Sequence, residues 1–465
     1  MTHPILTALE SHYGPAGPKR FRAFPPGFQW GAATASYQIE GAHAEDNRGW
    51  TIWDTFAHQP GKIIDGATGD VACDHYHRFR EDVALMASLG VQTYRFSIAW
   101  SRVLPFGTGA VNEAGLRFYD QLIDELLAHG IQPVITLYHW DLPQALQDLG
   151  GWANRKVVDW FTEYAKVCYA RYGDRVSRWI TLNEPYVFVN FGHRFGWMAP
   201  GIRDIAITGR VIHHALLAHG RAVEAFRDSG VRGEIGITNA NTSYEPADDA
   251  PETAVAVELA RDFDARLFHG PVFGRGYPEA VLRFYADRGG ALPVEPGDLD
   301  AVAAPTDFLG LNLYSRQLVF ADAGRGTGYR EAPPTLPLLD MGYEAAPHAL
   351  GDFVTWVTKE YGRRPIYITE NGVGENTGPG PDGAVDDELR VELLRGFLKG
   401  LHGAIEGGAD VRAYYLWSLM DNFEWAFGNT KRFGMVWTDF ATQQRIPKRS
   451  AAFFRDVSRR NGLEA

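Results

Sequence analysis

Eight times along the chain, a short β-branched or aromatic run ends in polar or charged residues and gives way to a helical pattern. The runs lie at 28–35, 93–98, 132–138, 178–183, 234–239, 308–314, 365–370 and 411–418. Most are apolar at successive positions, so both faces of each strand need cover. That suits parallel strands sheathed by helices. Amphipathic stretches at 76–89, 113–129, 155–172, 208–229, 252–269 and 387–406 supply the sheath. In the first of these, Phe79, Val83, Met86 and Leu89 share one stripe, and Gly90 ends the helix. Strands alternating with helices in this number predict an α/β chain closed as a (β/α)8 TIM barrel. An open doubly wound sheet needs a Gly-x-Gly-x-x-Gly loop after its first strand, and Gly31-Ala32-Ala33 does not provide one. No linker interrupts the pattern, so 21–465 reads as a single catalytic domain. Residues 1–20, with Gly14-Pro15 and Gly17-Pro18, read as a flexible N-terminal extension. The Gly/Pro-rich piece 321–351 has no periodicity and reads as an active-site loop.

A length of 465 residues suits one barrel with insertions. The net charge of −12 and the lack of a Lys/Arg block argue against a nucleic-acid partner. Cys73 and Cys168 make neither a disulfide framework nor a zinc site, which predicts free thiols in a reducing compartment. The N-terminal residues lack the basic and apolar regions of a secretory leader, and no apolar run is long enough to span a bilayer. The expectation is a cytoplasmic protein. His75-Tyr76-His77 lacks a third ligand at metal spacing, and no metal or cofactor is expected.

Barrel chemistry sits at the C-terminal ends of the strands. Reading only those ends gives Gln38 and Glu40, then Arg95, Ser97 and Trp100, then His139, Trp140 and Asp141. Asn183 and Glu184 follow on the fourth strand, Asn312 and Tyr314 on the sixth, and Glu370 and Asn371 on the seventh. Trp417 leads on to Asp421, Asn422, Glu424 and Trp425. No Ser-His-Asp order, nucleophile elbow or Schiff-base lysine stands among them. Amides, carboxylates and one imidazole can bond many hydroxyls at once, and indole faces cover a pyranose ring; the set fits a sugar pocket. RWITLNEP (178–185) and PIYITENG (365–372) each end a strand on a glutamate. An eight-stranded barrel puts its fourth and seventh strands across from one another. Glu184 and Glu370 then flank one bond, one protonated and one ionised, with Arg95 near one of them to hold it charged.

With those residues in hand, the chain resembles the family 1 glycoside hydrolases from about 24 to 457. FQWGAATASYQIEGA, YRFSIAWSR, HWDLPQAL, TLNEP, FLGLNLYSR, ITENG, WSLMDNFEWAFG and KRFGMVWTDF match that family in order. The resemblance implies a retaining β-glucosidase with Glu370 as nucleophile and Glu184 as acid/base, and Arg95, Tyr314 and Asn312 around them. It implies that Gln38, His139, Trp140, Asn183, Glu424, Trp425 and Phe433 hold the sugar, with Trp417 as the floor. Asn422-Phe423-Glu424-Trp425 stands where relatives acting on 6-phosphates carry Ser and Lys, so an unphosphorylated sugar is expected. Glu184 stands where plant thioglucosidases carry Gln, so O-glycosides are expected. The departures lie on the aglycone side and rim: Tyr343 for a usual Trp, Trp197-Met198, Phe427 and Asn429. The resemblance leaves open whether Asn239 or Asn241 is the polar residue of the fifth strand. The expected partner is a β-glucoside or short oligosaccharide. A sugar-binding barrel without turnover and a transglycosidase are the alternatives.

Overall fold

The computed structural model describes residues 3–14 and 19–465. Eight parallel strands form the barrel: β1 (Gln29–Ala33), β2 (Thr93–Ser97), β3 (Gln132–Tyr138), β4 (Arg178–Asn183), β5 (Glu234–Pro246), β6 (Phe308–Ala321), β7 (Pro365–Asn371) and β8 (Asp410–Trp417). Each pairs with the next, and Ala413–Trp417 of β8 pairs with Gln29–Ala33 of β1, closing the ring. The continuous apolar runs follow from this closure. All of β2 is buried, since one face meets the barrel interior and the other the helices. Five of the six expected helices are present, with ends shifted by a few residues.

The differences have identifiable causes. β5 and β6 run beyond 239 and 314, and above the rim Ser243–Pro246 pairs with Arg316–Val319 as a two-stranded ribbon. Tyr329–Glu331 joins β6 antiparallel, so the piece 321–351 is only partly irregular. Residues 252–269 are not one helix: Pro251–Arg261 widens at Asp262–Arg266 before Leu267–Val272. There the buried Asp264 accepts the Thr242 amide at 3.1 Å. A seventh helix, Ala349–Tyr361, is absent from the sequence reading. Gly351 obscures it; a Cβ there would meet the Gly400 backbone at 2.5 Å, so the glycine marks close packing of two helices. Within the expected 1–20 extension, Pro4–Tyr13 is a helix with Leu9 buried, and the Tyr13 hydroxyl lies 2.8 Å from His348 Nδ1. Residues 1, 2 and 15–18 lie outside the described residues.

At the N-terminal ends of the strands, Arg178 donates to Glu234 at 3.1 Å, Gln29 at 2.7 Å and the Tyr415 hydroxyl at 3.2 Å. A depression of about 750 Å³ opens there, lined in part by Phe28, Arg178, Glu234, Arg363 and Asp410. Near it, Phe21–Ala23 pairs with Gly462–Glu464, and Trp30 Nε1 donates to Asn461 at 3.0 Å. Among the described residues, no helix is long and apolar enough to cross a membrane.

Candidate active site

Glu184 takes a left-handed backbone, φ 50°, at the end of β4, and Pro185 starts the next helix. Such a φ is uncommon for a residue with a Cβ. The Glu184 amide is held by a 2.8 Å bond to the Thr238 carbonyl of β5. On β7, Glu370 ends its strand in register with Asn312 of β6. Both carboxylates are buried, with 6% and 3% of their surface exposed.

One connected network joins them. Arg95, buried on β2, donates to Glu370 Oε1 at 2.6 Å, to Asn183 Oδ1 at 2.5 Å and to Thr136 Oγ1 at 3.0 Å. Tyr314 donates to Glu370 Oε2 at 2.8 Å. The Asn312 amide nitrogen donates to Glu184 Oε1 at 2.8 Å and to Asn183 Oδ1 at 3.1 Å. Asn183 Nδ2 lies 3.0 Å from His139 Nε2, and Trp140 Nε1 donates to the Asn183 carbonyl at 2.9 Å. The two glutamates that the sequence separates therefore share neighbours.

Their environments differ. Burial and the nearby Glu370 charge push the Glu184 carboxyl up to about 8, against the pull of Asn312 and Arg95. Burial also raises Glu370, but Arg95 and Tyr314 counter it at bonding distance. Arg95 and Tyr314 thus favour the charged form of Glu370, while the Glu370 charge favours the neutral form of Glu184. Burial, with help from Arg95, holds His139 well below its ordinary range, so the ring is neutral. Burial beside Glu370 keeps the Tyr314 hydroxyl protonated as a donor.

A second group adjoins this one. Gln38 Nε2 donates to the Phe423 carbonyl at 2.9 Å and to Asn422 at 3.1 Å, and lies 3.4 Å from Glu424. Burial and the Glu370 charge push Glu424 up to about 8. Trp425 lies tilted against Trp140 with ring centroids 4.6 Å apart, and the His139 ring lies 5.9 Å from both Trp417 and Trp425. Phe433 meets Tyr314 edge-on at 5.7 Å. Tyr343, 41% exposed, has its ring 6.3 Å from that of Tyr314. Trp197, 62% exposed, stacks on Phe195 at 4.8 Å.

Residues 21–463 match the glycosyl hydrolase family 1 model. The chain belongs to that family. It is 46% identical over 445 residues to "Beta-glucosidase A" of Thermotoga maritima, covering 95% of this chain and 99% of the relative. The "Beta-glucosidase A" of Acetivibrio thermocellus is 45% identical, with 95% and 99% covered. A solved family 1 β-glucosidase structure from Thermotoga maritima superposes with a TM-score of 0.93 at 46% identity, covering 96% of this chain and all of that one.

In this family 1 enzyme, not every strand-end residue belongs to the pocket. Glu40 is held by Arg102 at 2.6 Å and Tyr119 at 2.7 Å, Asp141 accepts from Ser36 at 2.8 Å, and Asp421 accepts from Lys448 at 2.7 Å. Trp100 is fully buried and stacks on Tyr164. These side chains hold the loops together. Asn241 contacts the Asn312 carbonyl at 3.3 Å and His269 Nε2 at 2.7 Å, while Asn239 pairs with the other nitrogen of His269. His269 carries no strand-end signal, so the sequence reading passes it over. His75 is taken by Asp82 and His77 by Asp74 and Glu45. Glu245, His348 and Asp352 bring their ligand atoms within 4.8 Å of one another. Arg316 holds Glu245 at 2.6 Å, and His348 lies 2.8 Å from the Tyr13 hydroxyl and 2.9 Å from Glu245.

Proposed function

We propose that this family 1 enzyme is a retaining, exo-acting β-glycosidase. It removes terminal β-D-glucosyl residues, with galactosides and fucosides also accepted, through a covalent glycosyl-enzyme. The observation that carries this reading is the buried pair Glu184 and Glu370, which shares one network yet is held at unequal proton affinity. Glucosidases of 45–46% identity support the substrate class, as does the Thermotoga maritima structure in complex with isofagomine lactam.

In the first step the ionised Glu370 attacks the anomeric carbon as the bond to the aglycone oxygen breaks. Glu184 passes its proton to that oxygen, leaving a glycosyl ester on Glu370. Glu184, now ionised, takes a proton from water, whose oxygen displaces Glu370 and restores the β-configuration. Arg95 and Tyr314 keep Glu370 ionised at the start and accept it back at the end. Among the buried polar atoms with no partner among the described residues are Gln38 Oε1 and His139 Nδ1. Hydroxyls of the non-reducing sugar satisfy these two, and Asn422-Phe423-Glu424-Trp425 offers no cation to pair with a 6-phosphate.

The test is azide rescue on an activated aryl β-glucoside. Glu370→Ala loses about 10⁴-fold or more in kcat. With azide it yields the α-glycosyl azide, whereas Glu184→Ala yields the β-anomer. The same anomer from both variants overturns the roles. The wild-type kcat/KM profile is bell-shaped, with Glu184 setting the alkaline limb near 8. A profile with no acid limb refutes Glu370 as nucleophile.

A further inference from the structure

The hydrogen bonds around Glu184 run in one direction. Arg95 can only donate, so Asn183 Oδ1, at 2.5 Å, accepts. The Asn312 atom facing that acceptor at 3.1 Å must be its amide nitrogen, and the same nitrogen lies 2.8 Å from Glu184 Oε1. Both of its protons are thereby committed. Asn312 Oδ1 is turned to Thr369, whose hydroxyl donates to it at 2.7 Å. That uses the one hydroxyl proton of Thr369. Its oxygen therefore accepts from the Thr238 hydroxyl at 3.1 Å. Thr238, Thr369, Asn312 and Asn183 are each no more than 1% exposed.

Valine is the default for a buried strand position of this shape, because a buried hydroxyl requires a partner. The two strands that flank β6 nevertheless carry threonine at these positions. The fold also makes room for them: a Cβ at Gly310 would fall 2.2 Å from Thr238 Oγ1. Glu184 Oε1 accepts from Asn312, which leaves the proton of the neutral carboxyl on Oε2, the oxygen turned away from Asn312.

We propose that Thr369 and Thr238 are positioning residues for the acid step: they hold the Asn312 nitrogen against Glu184 Oε1, so that the acid proton stands on Oε2 for the leaving group. This rests on the reading of Glu184 as the acid. Thr238 acts twice, since its carbonyl also holds the Glu184 amide. Without the Thr369 hydroxyl, Asn312 Oδ1 loses its donor, and Asn183 Oδ1 alone resists reversal of the amide toward Glu184.

The experiment is a leaving-group series of β-glucosides, from phenyl through 4-nitrophenyl to 2,4-dinitrophenyl, on wild type, Thr369→Val, Thr369→Ser and Thr238→Val. Departure of 2,4-dinitrophenolate needs no proton, whereas departure of phenolate does. For Thr369→Val, kcat/KM on the phenyl glucoside falls about 10–100-fold and on the dinitrophenyl glucoside less than about threefold, part of the 10²–10⁴ that a general acid contributes. Thr238→Val shows the same pattern with a smaller slope, and Thr369→Ser restores the wild-type slope. The alkaline limb of Thr369→Val moves upward, because the ionised Glu184 loses a donor while Glu370, Arg95 and Glu424, the charged groups around it, are unchanged. Equal losses across the series overturn the proposal, as does a serine variant as impaired as the valine one. Should Thr369→Val fail to fold, Thr238→Val decides, being removed from both carboxylates. A wild type inactive on all three glucosides refutes the glycosidase reading instead.

Discussion

At the N-terminal ends of the strands, Arg178 bonds Glu234, Gln29 and Tyr415, and its guanidinium lies 4.2 Å over the Tyr367 ring. At the C-terminal ends, Arg95 meets Glu370 directly while Glu184 and Glu424 stand within reach of the same charges. The same strands therefore carry two different charge regimes. The lower end matches its charges to partners and holds them open to a broad depression. The upper end buries more carboxylate than it can neutralise, and the excess appears as protons held on Glu184 and Glu424 near neutrality. The first arrangement suits stability, and the second suits the proton transfer proposed for Glu184.

The largest expected break in this comparison is Arg95→Met. Glu370 loses the partner that pulls its carboxyl down, so the acid limb of kcat/KM moves to higher pH. The rate at the optimum falls about 10²–10³-fold, as with loss of one preorganised donor. An unmoved acid limb would remove Arg95 from its role. Arg178→Met makes the converse change at the other end. It lowers Tm by about 2–4 °C through the bonds lost at Glu234, Gln29 and Tyr415, with kcat and its pH profile within about twofold of wild type. A shifted pH profile there would show that the two ends are coupled. The smallest effect on Tm is that of Glu184→Gln. A carboxyl whose proton is held more tightly in the folded state costs stability as pH rises from its ordinary value toward about 8. The variant is therefore level with wild type in Tm near pH 4 and about 2 °C higher at pH 8. Thermal scans at both pH values check this, and a lower Tm at pH 8 would contradict the strain assigned to the pair.

The barrel itself was legible because its strands are apolar at successive positions and its helices repeat with a different period. Glu184 and Glu370 were legible because each interrupts an apolar run at its end. Position at a strand end does not tell which way a side chain points, and so Glu40, Trp100 and Asp141 looked equal to Gln38 and His139. The difference lies in partners such as Arg102, Tyr164 and Ser36, which come from distant segments. Thr238 and Thr369 read as ordinary strand formers, because nothing in a single strand shows that two hydroxyls will meet. The helix Ala349–Tyr361 was hidden by the glycine that lets it pack closely. The length of β5 and β6 was hidden by the change from a two-sided barrel wall to a ribbon with one exposed face.

That ribbon gives the mouth of the barrel a fixed doorpost. Its backbone groups from Ser243 to Pro246 are tied to those from Arg316 to Val319, so this side of the opening is sheet. Folding it down over a bound sugar would sever a row of hydrogen bonds in one motion. Between Ser243 and Pro246 this paired backbone offers no loop hinge of the kind that closes a lid.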